Sequence, residues 1–259
     1  MNYVSRIKEL NVEQNTIAIS WLGQAGFLIK TSSGRIIAID PYFSDCVMKY
    51  IPEEGLGFKR LTPPLCEAGD IVFDSLLISH EHLDHFDVDS IKAMMSNDRT
   101  HVYTNTPVAD KMREMGMDMS RVHVLKKGMA ESLPDCKVLA TDCDHGELAP
   151  DALGFILDFG WTKVYYSGDT ALNPERLKVP IEHKPRVAIL PINGEYGNLN
   201  GIQAAEYAGL LGAEICIPCH FWTFALHKGD PQSIIDSIGD KAPECELALM
   251  CQGEVLIHS

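Results

Sequence analysis

Short apolar segments separated by turn residues mark the first forty positions of the chain as strands. Residues 16–22 are apolar and rich in β-branched side chains, residues 27–31 repeat the pattern, and residues 35–40 form a third segment. Residues 23–26, with glycine at both ends, predict a hairpin turn between the first two strands. Residues 71–79 are a nearly continuous apolar run, which is typical of a strand buried on both faces.

Strand and helix signals alternate along the rest of the chain. Further strands are predicted at residues 102–104, 121–125, 137–142, 161–167, 186–192, 214–218 and 247–258. Helices are predicted from a cap at Asp87 or Asp89 to about Met95, and at residues 108–115, 203–211 and 231–238. Strands grouped with helices in both halves indicate an α/β protein with two sheets packed together and covered by helices.

Residues 41–69 carry no clear periodicity and are rich in proline, glycine and charge. A connection of this length inside a compact fold is typically a functional lid or a disordered insert, and we expect one of the two here. No linker-like change of composition divides the chain. We therefore expect a single domain over residues 1–259.

The charge balance limits the partners that the chain can bind. Lys and Arg total 22 against 36 Asp and Glu, which gives a net charge of −14 over 259 residues. An acidic surface repels phosphate backbones and anionic lipids, so we expect a small-molecule substrate and neither a nucleic-acid nor a membrane partner. The sequence is compatible with a homo-oligomer. A small anionic substrate stays compatible with this charge if bound metals create a positive field.

The N-terminal residues and the cysteines indicate the compartment. The start of the chain has no basic segment followed by a long apolar core, and no later apolar run is long enough to span a bilayer. The eight cysteines are scattered without the spacing of a disulfide framework. We therefore expect reduced, partly buried cysteines and a cytoplasmic location.

One run of six residues concentrates the metal-binding chemistry of the chain. His80, His82, Asp84 and His85 fall directly after the apolar run 71–79. His80 and His82 are two positions apart and can project the same way, while Asp84 and His85 begin the next element. Imidazole and carboxylate ligands together suit zinc, manganese or iron rather than magnesium or calcium. The run therefore predicts a metal site, and a merely polar loop explains such crowding poorly when the chain has only ten histidines.

Further ligand candidates follow predicted strands downstream. His145 lies after residues 137–142, Asp169 after residues 161–167, and His220 after residues 214–218. The position of His145 is ambiguous, because Asp142 and Asp144 flank it and either carboxylate could ligate instead.

His-x-His-x-Asp-His after an apolar strand, with these later residues in order, resembles the metallo-β-lactamase superfamily over residues 16–225. The resemblance implies a four-layer αββα sandwich and a hydrolase in which two divalent ions, zinc or manganese with iron as the alternative, activate water as the nucleophile. It also implies the ligand roles. One ion would be held by His80, His82 and His145, the other by Asp84, His85 and His220, with Asp169 bridging both. Asp84 and Asp169 are accordingly the candidate catalytic residues.

Within the superfamily, the chain looks most similar to L-ascorbate-6-phosphate lactonase-like proteins. The stretches that carry this likeness are residues 21–27, 167–170, 193–197, 217–222 and 229–232. The likeness implies a lactonase or esterase acting on a lactone or a phosphorylated sugar-acid lactone. The chain departs from that pattern by a shorter N-terminus and a different position of the third histidine. A phosphodiesterase or other ester hydrolase, and a metal-binding protein without turnover, therefore stay open as alternatives.

Candidate substrate-binding residues are those that adjoin the ligand motifs. They are Asn193, Tyr196, Trp222, His227 and Lys228, with Tyr42 and Phe43 as further residues that could shape a pocket.

Overall fold

The computed structural model describes residues 2–259, which form two compact units. The first unit comprises the chain up to Val124 together with Cys251–Ser259, and the second comprises Leu125–Met250. Each unit contains one seven-stranded sheet. The single domain over residues 1–259 stays a prediction.

The sheet of the first unit combines an antiparallel and a parallel half. Its strands are β1 (Ile17–Gly23), β2 (Gly26–Thr31), β3 (Ile36–Ile39), β4 (Ser75–Ile78), β5 (His101–Thr104), β6 (Val122–Val124) and β14 (Val255–His258). The order across the sheet is β14-β1-β2-β3-β4-β5-β6. β14, β1, β2 and β3 pair antiparallel, whereas β3, β4, β5 and β6 pair parallel. The carboxyl ends of β3 and β4 therefore lie side by side.

The predicted hairpin between β1 and β2 is confirmed. Gly23 pairs with Gly26, so Gln24 and Ala25 form a two-residue turn. Gln24 adopts a φ of 51°, in the left-handed region that a tight hairpin turn requires. The indole N–H of Trp21 donates to the Gln24 carbonyl oxygen at 2.9 Å. This turn is thus held rigidly, and it carries the Gln24 side chain inward.

The helices of the first unit are short. They are α1 (Tyr3–Glu9), α2 (Cys46–Tyr50), α3 (Ile91–Met94) and α4 (Thr106–Glu114), with 3₁₀ turns at Pro52–Phe58 and Met119–Arg121. α4 begins after Asn105, whose side-chain oxygen accepts from the Val108 N–H. Ile7 of α1 and Met112 of α4 lie in one hydrophobic core with Phe73 and Phe86.

Residues 41–69 are more ordered than their composition predicts. α2 and the 3₁₀ turn Pro52–Phe58 lie inside this segment, and Phe58 is buried. These short helical segments contradict a disordered insert in the first half of the segment, and the alternative of a functional lid stays a prediction. The strand predicted at residues 71–79 is also too long, because Ile71 and Phe73 are buried as core residues ahead of β4. Residues that are buried without pairing to a neighbouring strand give the same apolar sequence pattern as a buried strand.

The sheet of the second unit is likewise mixed. Its strands are β7 (Ala130–Ser132), β8 (Lys137–Asp142), β9 (Leu153–Asp158), β10 (Lys163–Tyr166), β11 (Val187–Pro191), β12 (Ile215–Cys219) and β13 (Glu246–Leu247). They lie in the order β13-β12-β11-β10-β9-β8-β7. β10, β11, β12 and β13 pair parallel. The carboxyl ends of β10, β11 and β12 are therefore neighbours at one edge.

Three helices belong to the second unit: α5 (Lys178–His183), α6 (Gly201–Leu211) and α7 (Pro231–Lys241). Asn200 and Gln203 form a capping box at the start of α6, in which each side chain bonds to the backbone N–H of the other residue. α6 packs against β11 and β12, the strands that precede Asn193 and His220. The helices predicted at residues 203–211 and 231–238 are confirmed.

Two sheet predictions in the second half need correction. Residues 247–258 were predicted as one strand, but only Leu247, in β13 of the second unit, and Val255–His258, in β14 of the first, lie in strands. β7 and β9 were not predicted at all, and β9 is almost wholly buried. A strand pattern does not identify its pairing partner, which explains the first error. β9 has an apolar run that was overlooked, whereas β7 is short and exposed and has no such pattern. No helix among residues 2–259 is long and apolar enough to cross a membrane.

Candidate metal centre

The histidine run folds into a tight turn at the carboxyl end of β4. The N–H groups of His85 and Phe86 both donate to the His82 carbonyl oxygen, at 3.0 and 2.7 Å. This turn brings the imidazoles together: His80 Nε2 lies 2.9 Å from His82 Nδ1, and the ring centroids of His80 and His85 are 4.0 Å apart. His80 and His85 are fully buried. The run therefore places the imidazoles of His82 and His85 each beside that of His80, as candidate metal ligands.

Asp40, directly after β3, contacts one of these histidines and was not predicted. Its Oδ1 accepts the Ser79 N–H at 2.7 Å, and its Oδ2 lies 2.7 Å from His85 Nδ1. One ligand atom each from Asp40, His80 and His85 lie within 4.8 Å of one another. A carboxylate beside Nδ1 favours the tautomer protonated there and directs Nε2 to a metal. The available sequence signal was an aspartate ending a strand.

Gln24 supports the aspartate of the run. Its Nε2 donates to Asp84 Oδ2 at 2.9 Å, and Gln24 is completely buried in the hairpin turn. Asp84 Oδ2 in turn lies 3.6 Å from His85 Nε2. The amide therefore orients the Asp84 carboxylate toward the histidine ligand atom. Residues 23–26 indicated only a turn, so this contact was missed.

Tyr42 and Phe43 lie beside Asp40 and are buried in the first unit. The Arg60 guanidinium lies over the Tyr42 ring, 4.8 Å from its centroid. Burial raises the pKa of the Tyr42 hydroxyl well above its ordinary value, so the phenol stays neutral. The Phe43 N–H donates to Asp87 Oδ2 at 2.8 Å. These contacts make both aromatic residues part of the packing that holds the segment after β3.

The second unit brings Asp169, His145 and His220 together. Asp169 follows β10 and His220 follows β12, and all three side chains are buried. His220 Nε2 lies 3.2 Å from Asp169 Oδ1, and His145 Nε2 lies 3.8 Å from Asp169 Oδ2. Each carboxylate oxygen thus faces a different imidazole. This is the arrangement expected of a carboxylate that bridges two ions.

The backbone of His220 adopts an energetically unfavourable conformation. Its φ is 64°, and a non-glycine residue in the left-handed region costs on the order of 1–3 kcal/mol. The His227 ring stacks on the His220 ring with centroids 4.8 Å apart and an interplanar angle of 18°. Phe224 meets His227 edge to face at 5.1 Å. The strained residue is therefore fixed by packing on its ring.

The carboxylates of Asp142 and Asp144, near His145, form salt bridges with lysine and arginine side chains. Asp142 pairs with Lys127 and Arg176, and Asp144 pairs with Arg176. Burial raises the pKa of Asp142, but the hydrogen bonds from Arg176 and Lys127 outweigh it and hold the pKa below its ordinary value. The ring of His145, by contrast, faces Asp169.

The predicted substrate residues of the second unit divide into buried and exposed side chains. Asn193 follows β11, between the strands that carry Asp169 and His220, and is buried. The Tyr196 ring lies 5.4 Å from the His227 ring. Trp222 is 60% exposed, and its indole N–H donates to the Gly229 carbonyl oxygen at 3.3 Å. Asn193 and His227 are therefore buried, and His227 also contacts His220, whereas Tyr196 and Trp222 are exposed.

Lys228 is not an isolated positive charge. Its Nζ lies 2.7 Å from Glu195 Oε1, and this ion pair raises the pKa of the lysine. Glu195 was not predicted, although it lies in the segment 193–197 that carries part of the family likeness. Glu195 therefore neutralises the positive charge of Lys228, which a phosphate group of a substrate would otherwise pair with.

Cys143, two residues before His145, is not suited to act as a nucleophile. Burial raises the pKa of the Cys143 thiol well above its ordinary value, and a protonated thiol is a poor nucleophile. Within residues 2–259 every cysteine is free, as predicted.

Comparison with known proteins identifies the family. Residues 18–220 match the model of the beta-lactamase superfamily domain, which covers most of the chain and every predicted metal ligand. The chain belongs to this superfamily. Its predicted α/β fold class of the metallo-β-lactamase type is confirmed by this match and by the structural neighbours.

Relatives and solved structures agree with this assignment. A protein of Rubrobacter xylanophilus named UPF0173 metal-dependent hydrolase is 29% identical over 249 residues, which are 92% of this chain and 95% of the relative. Igni18, a metallo hydrolase from Ignicoccus hospitalis, has a TM-score of 0.72 at 23% identity, covering 95% of this chain and 99% of that one. A possible metal-dependent hydrolase from Veillonella parvula has a TM-score of 0.75 at 17% identity, covering 92% and 98%. The predicted enzyme class, a metal-dependent hydrolase, is confirmed at this level.

Proposed function

We propose that this superfamily member uses two divalent cations, zinc or manganese with iron as the alternative, to hydrolyse the lactone of a sugar acid. The proposed ligands of one ion are His80, His82 and His145. Those of the other are Asp84, His85 and His220, and Asp169 is shared by both. Asp84 and Asp169 are the proposed catalytic residues.

The chemistry of the donors in each unit supports the proposal. The observation that carries it is the Asp40–His85 pair: a buried carboxylate lies 2.7 Å from Nδ1 and directs Nε2 outward, as it does in metal-binding histidines. In the second unit, Asp169 presents one oxygen to His145 and the other to His220. Buried imidazole and carboxylate groups in this mixture fit zinc, manganese and iron.

The two ions, when bound, supply an activated water and polarise the bond under attack. The protein side chains do the rest of the work. Asp40 holds the proton of His85 at Nδ1, and Gln24 keeps the Asp84 carboxylate in one orientation. Asp84, an oriented and largely buried carboxylate, is suited to accept a proton from the attacking water.

The lactone substrate follows from the likeness of residues 21–27, 167–170, 193–197, 217–222 and 229–232 to L-ascorbate-6-phosphate lactonase-like proteins. The contact of Lys228 with Glu195 bears on whether that lactone is phosphorylated. Because the lysine charge is already balanced, a neutral sugar-acid lactone is expected to serve at least as well as a phosphorylated one.

Metal analysis joined to a substrate panel tests the proposal. The purified protein is analysed for zinc, manganese and iron, and is assayed with a sugar-acid lactone, its phosphorylated form, a phosphodiester and a thioester. We expect near-stoichiometric metal and lactone turnover. Asp169→Asn should lose both, whereas Asp236→Asn on the exposed face of α7 should lose neither.

The other outcomes separate the alternatives. Retained metal with turnover of the phosphodiester alone would identify a phosphodiesterase. Retained metal without turnover of any substrate would identify a metal-binding protein. Absence of near-stoichiometric metal would overturn the proposal itself.

A further inference from the structure

The segment that carries His145 holds three side chains of types that can bind a metal, not one. Asp142 ends β8, Asp144 and His145 follow, and carboxylate oxygen binds zinc or manganese as readily as imidazole nitrogen. The Asp142 and Asp144 side chains are 28% and 19% exposed, so neither is sealed inside the core. Something must decide which of the three side chains ligates.

All four carboxylate oxygens of this segment accept hydrogen bonds, and Arg176 donates to three of them. Its Nε and Nη2 bond to Asp142 Oδ2 and Oδ1 at 3.1 and 2.9 Å, and its Nη1 bonds to Asp144 Oδ1. Lys127 Nζ lies 2.6 Å from Asp142 Oδ1, and Asn173 Nδ2 donates to Asp144 Oδ2 at 2.8 Å. The planar guanidinium fork suits such two-oxygen contacts, which a lysine could not reproduce.

The backbone of the segment is fastened as well. The Asp144 N–H donates to Thr170 Oγ1 at 2.9 Å, and the Asp144 carbonyl oxygen accepts the Ala171 N–H at 2.8 Å. Thr170 directly follows Asp169, so the two ligand-bearing segments are joined by these bonds. His145 is the residue left facing Asp169, with its Nε2 3.8 Å from Oδ2.

We propose that Arg176 is a positioning residue that withholds Asp142 and Asp144 from the metal and thereby makes His145 the ligand of this segment. This inference rests on the proposed function, because it presumes a metal at His145. Without Arg176, the carboxylates of Asp142 and Asp144, three residues and one residue before His145, would compete for the ion. A second effect is that metal selectivity would shift toward cations that prefer oxygen ligands.

Cobalt(II) binding tests the inference independently of turnover. The protein is stripped with a chelator and titrated with Co²⁺, and the visible absorption and the affinity are recorded. We expect Arg176→Gln to change the absorption spectrum and to weaken binding by about 10–100-fold, the usual effect of losing a residue that orients a ligand. Arg186→Gln is the matched control, because Arg186 pairs with Glu214 at the opposite end of β11.

A triple variant separates positioning from folding. In Arg176→Gln combined with Asp142→Asn and Asp144→Asn, no competing carboxylate remains, so the wild-type spectrum and affinity should return. If the triple variant keeps the altered spectrum, or if Arg176→Gln alone binds cobalt as the wild type does, the inference is wrong. A wild-type protein that binds no cobalt overturns the proposed function and this inference together.

Discussion

Replacing Asp40 with asparagine is the sharpest test of how the first unit prepares its metal ligands. Asp40 has a φ of 44°, a region that asparagine tolerates far better than alanine, so the backbone should keep its course. Asparagine can still accept the Ser79 N–H, which Oδ1 accepts at 2.7 Å. It replaces Oδ2, however, by an amide nitrogen that donates. His85 Nδ1, 2.7 Å away, would then have to accept.

The expected magnitude follows from this reversal. With Nδ1 as acceptor, the His85 proton moves to Nε2, the atom proposed to bind the metal. Loss of such an orienting carboxylate costs about 10–100-fold in metal affinity, which corresponds to roughly 1.4–2.7 kcal/mol. Because the Ser79 hydroxyl also donates to Oδ2, the metal-free protein should lose about 1–3 kcal/mol in its free energy of unfolding.

Asp74 provides a matched control in the same sheet. It is buried, accepts the Ile36 N–H at 2.9 Å, and pairs with Arg35 and Arg99 at 3.1 and 2.6 Å. It precedes β4, whereas the ligands follow that strand. Asp74→Asn should therefore lower the free energy of unfolding without changing metal affinity.

The assay is a chelator competition titration with Co²⁺, accompanied by chemical denaturation of the metal-free proteins. The reasoning is refuted if Asp40→Asn binds cobalt as tightly as the wild type. It is refuted equally if Asp74→Asn weakens cobalt binding by the same factor.

Three further outcomes are expected. Gln24→Leu removes the hydrogen bond to Asp84 and should weaken cobalt binding by about tenfold, measured by the same competition; unchanged affinity would mean that Asp84 is oriented without it. Glu195→Gln releases the charge of Lys228 and should lower KM for a phosphorylated lactone relative to the neutral one; equal ratios in both proteins would argue against contact of Lys228 with substrate. Because the folded pKa of Asp142 is lowered, its ion pairs stabilise the protein above the ordinary carboxyl pKa and are lost as the pH falls through the folded value. Asp142→Asn should therefore show a smaller decrease of Tm than the wild type when the pH is lowered below about 4. An equal decrease of Tm in both proteins would contradict this.

The local chemistry of the site was readable from sequence order. The His80–His85 run has its candidate ligands within one turn, so chain spacing alone places them together. The hairpin at residues 23–26 and the helix α6 were equally predictable, because turn glycines and capping residues act on their immediate neighbours. Family resemblance then added the later ligands in order, and the superfamily match to residues 18–220 bears out that family.

Other features depended on which strands become neighbours. Asp40 reaches His85 only because β3 pairs parallel with β4, and Gln24 reaches Asp84 across an even longer span of chain. Residues 247–258 show one strand pattern, yet only Leu247 and Val255–His258 lie in strands, and these belong to different sheets.

The sequence by itself determined the candidate ligands, the local turns and the hydrolase family of this protein. The tertiary structure decided which carboxylates and amides orient those ligands, and which of them, such as Asp142 and Asp144, are held by Arg176 instead. The physical reason is that periodicity and spacing act along the chain, whereas strand pairing and ion pairs join residues far apart in it.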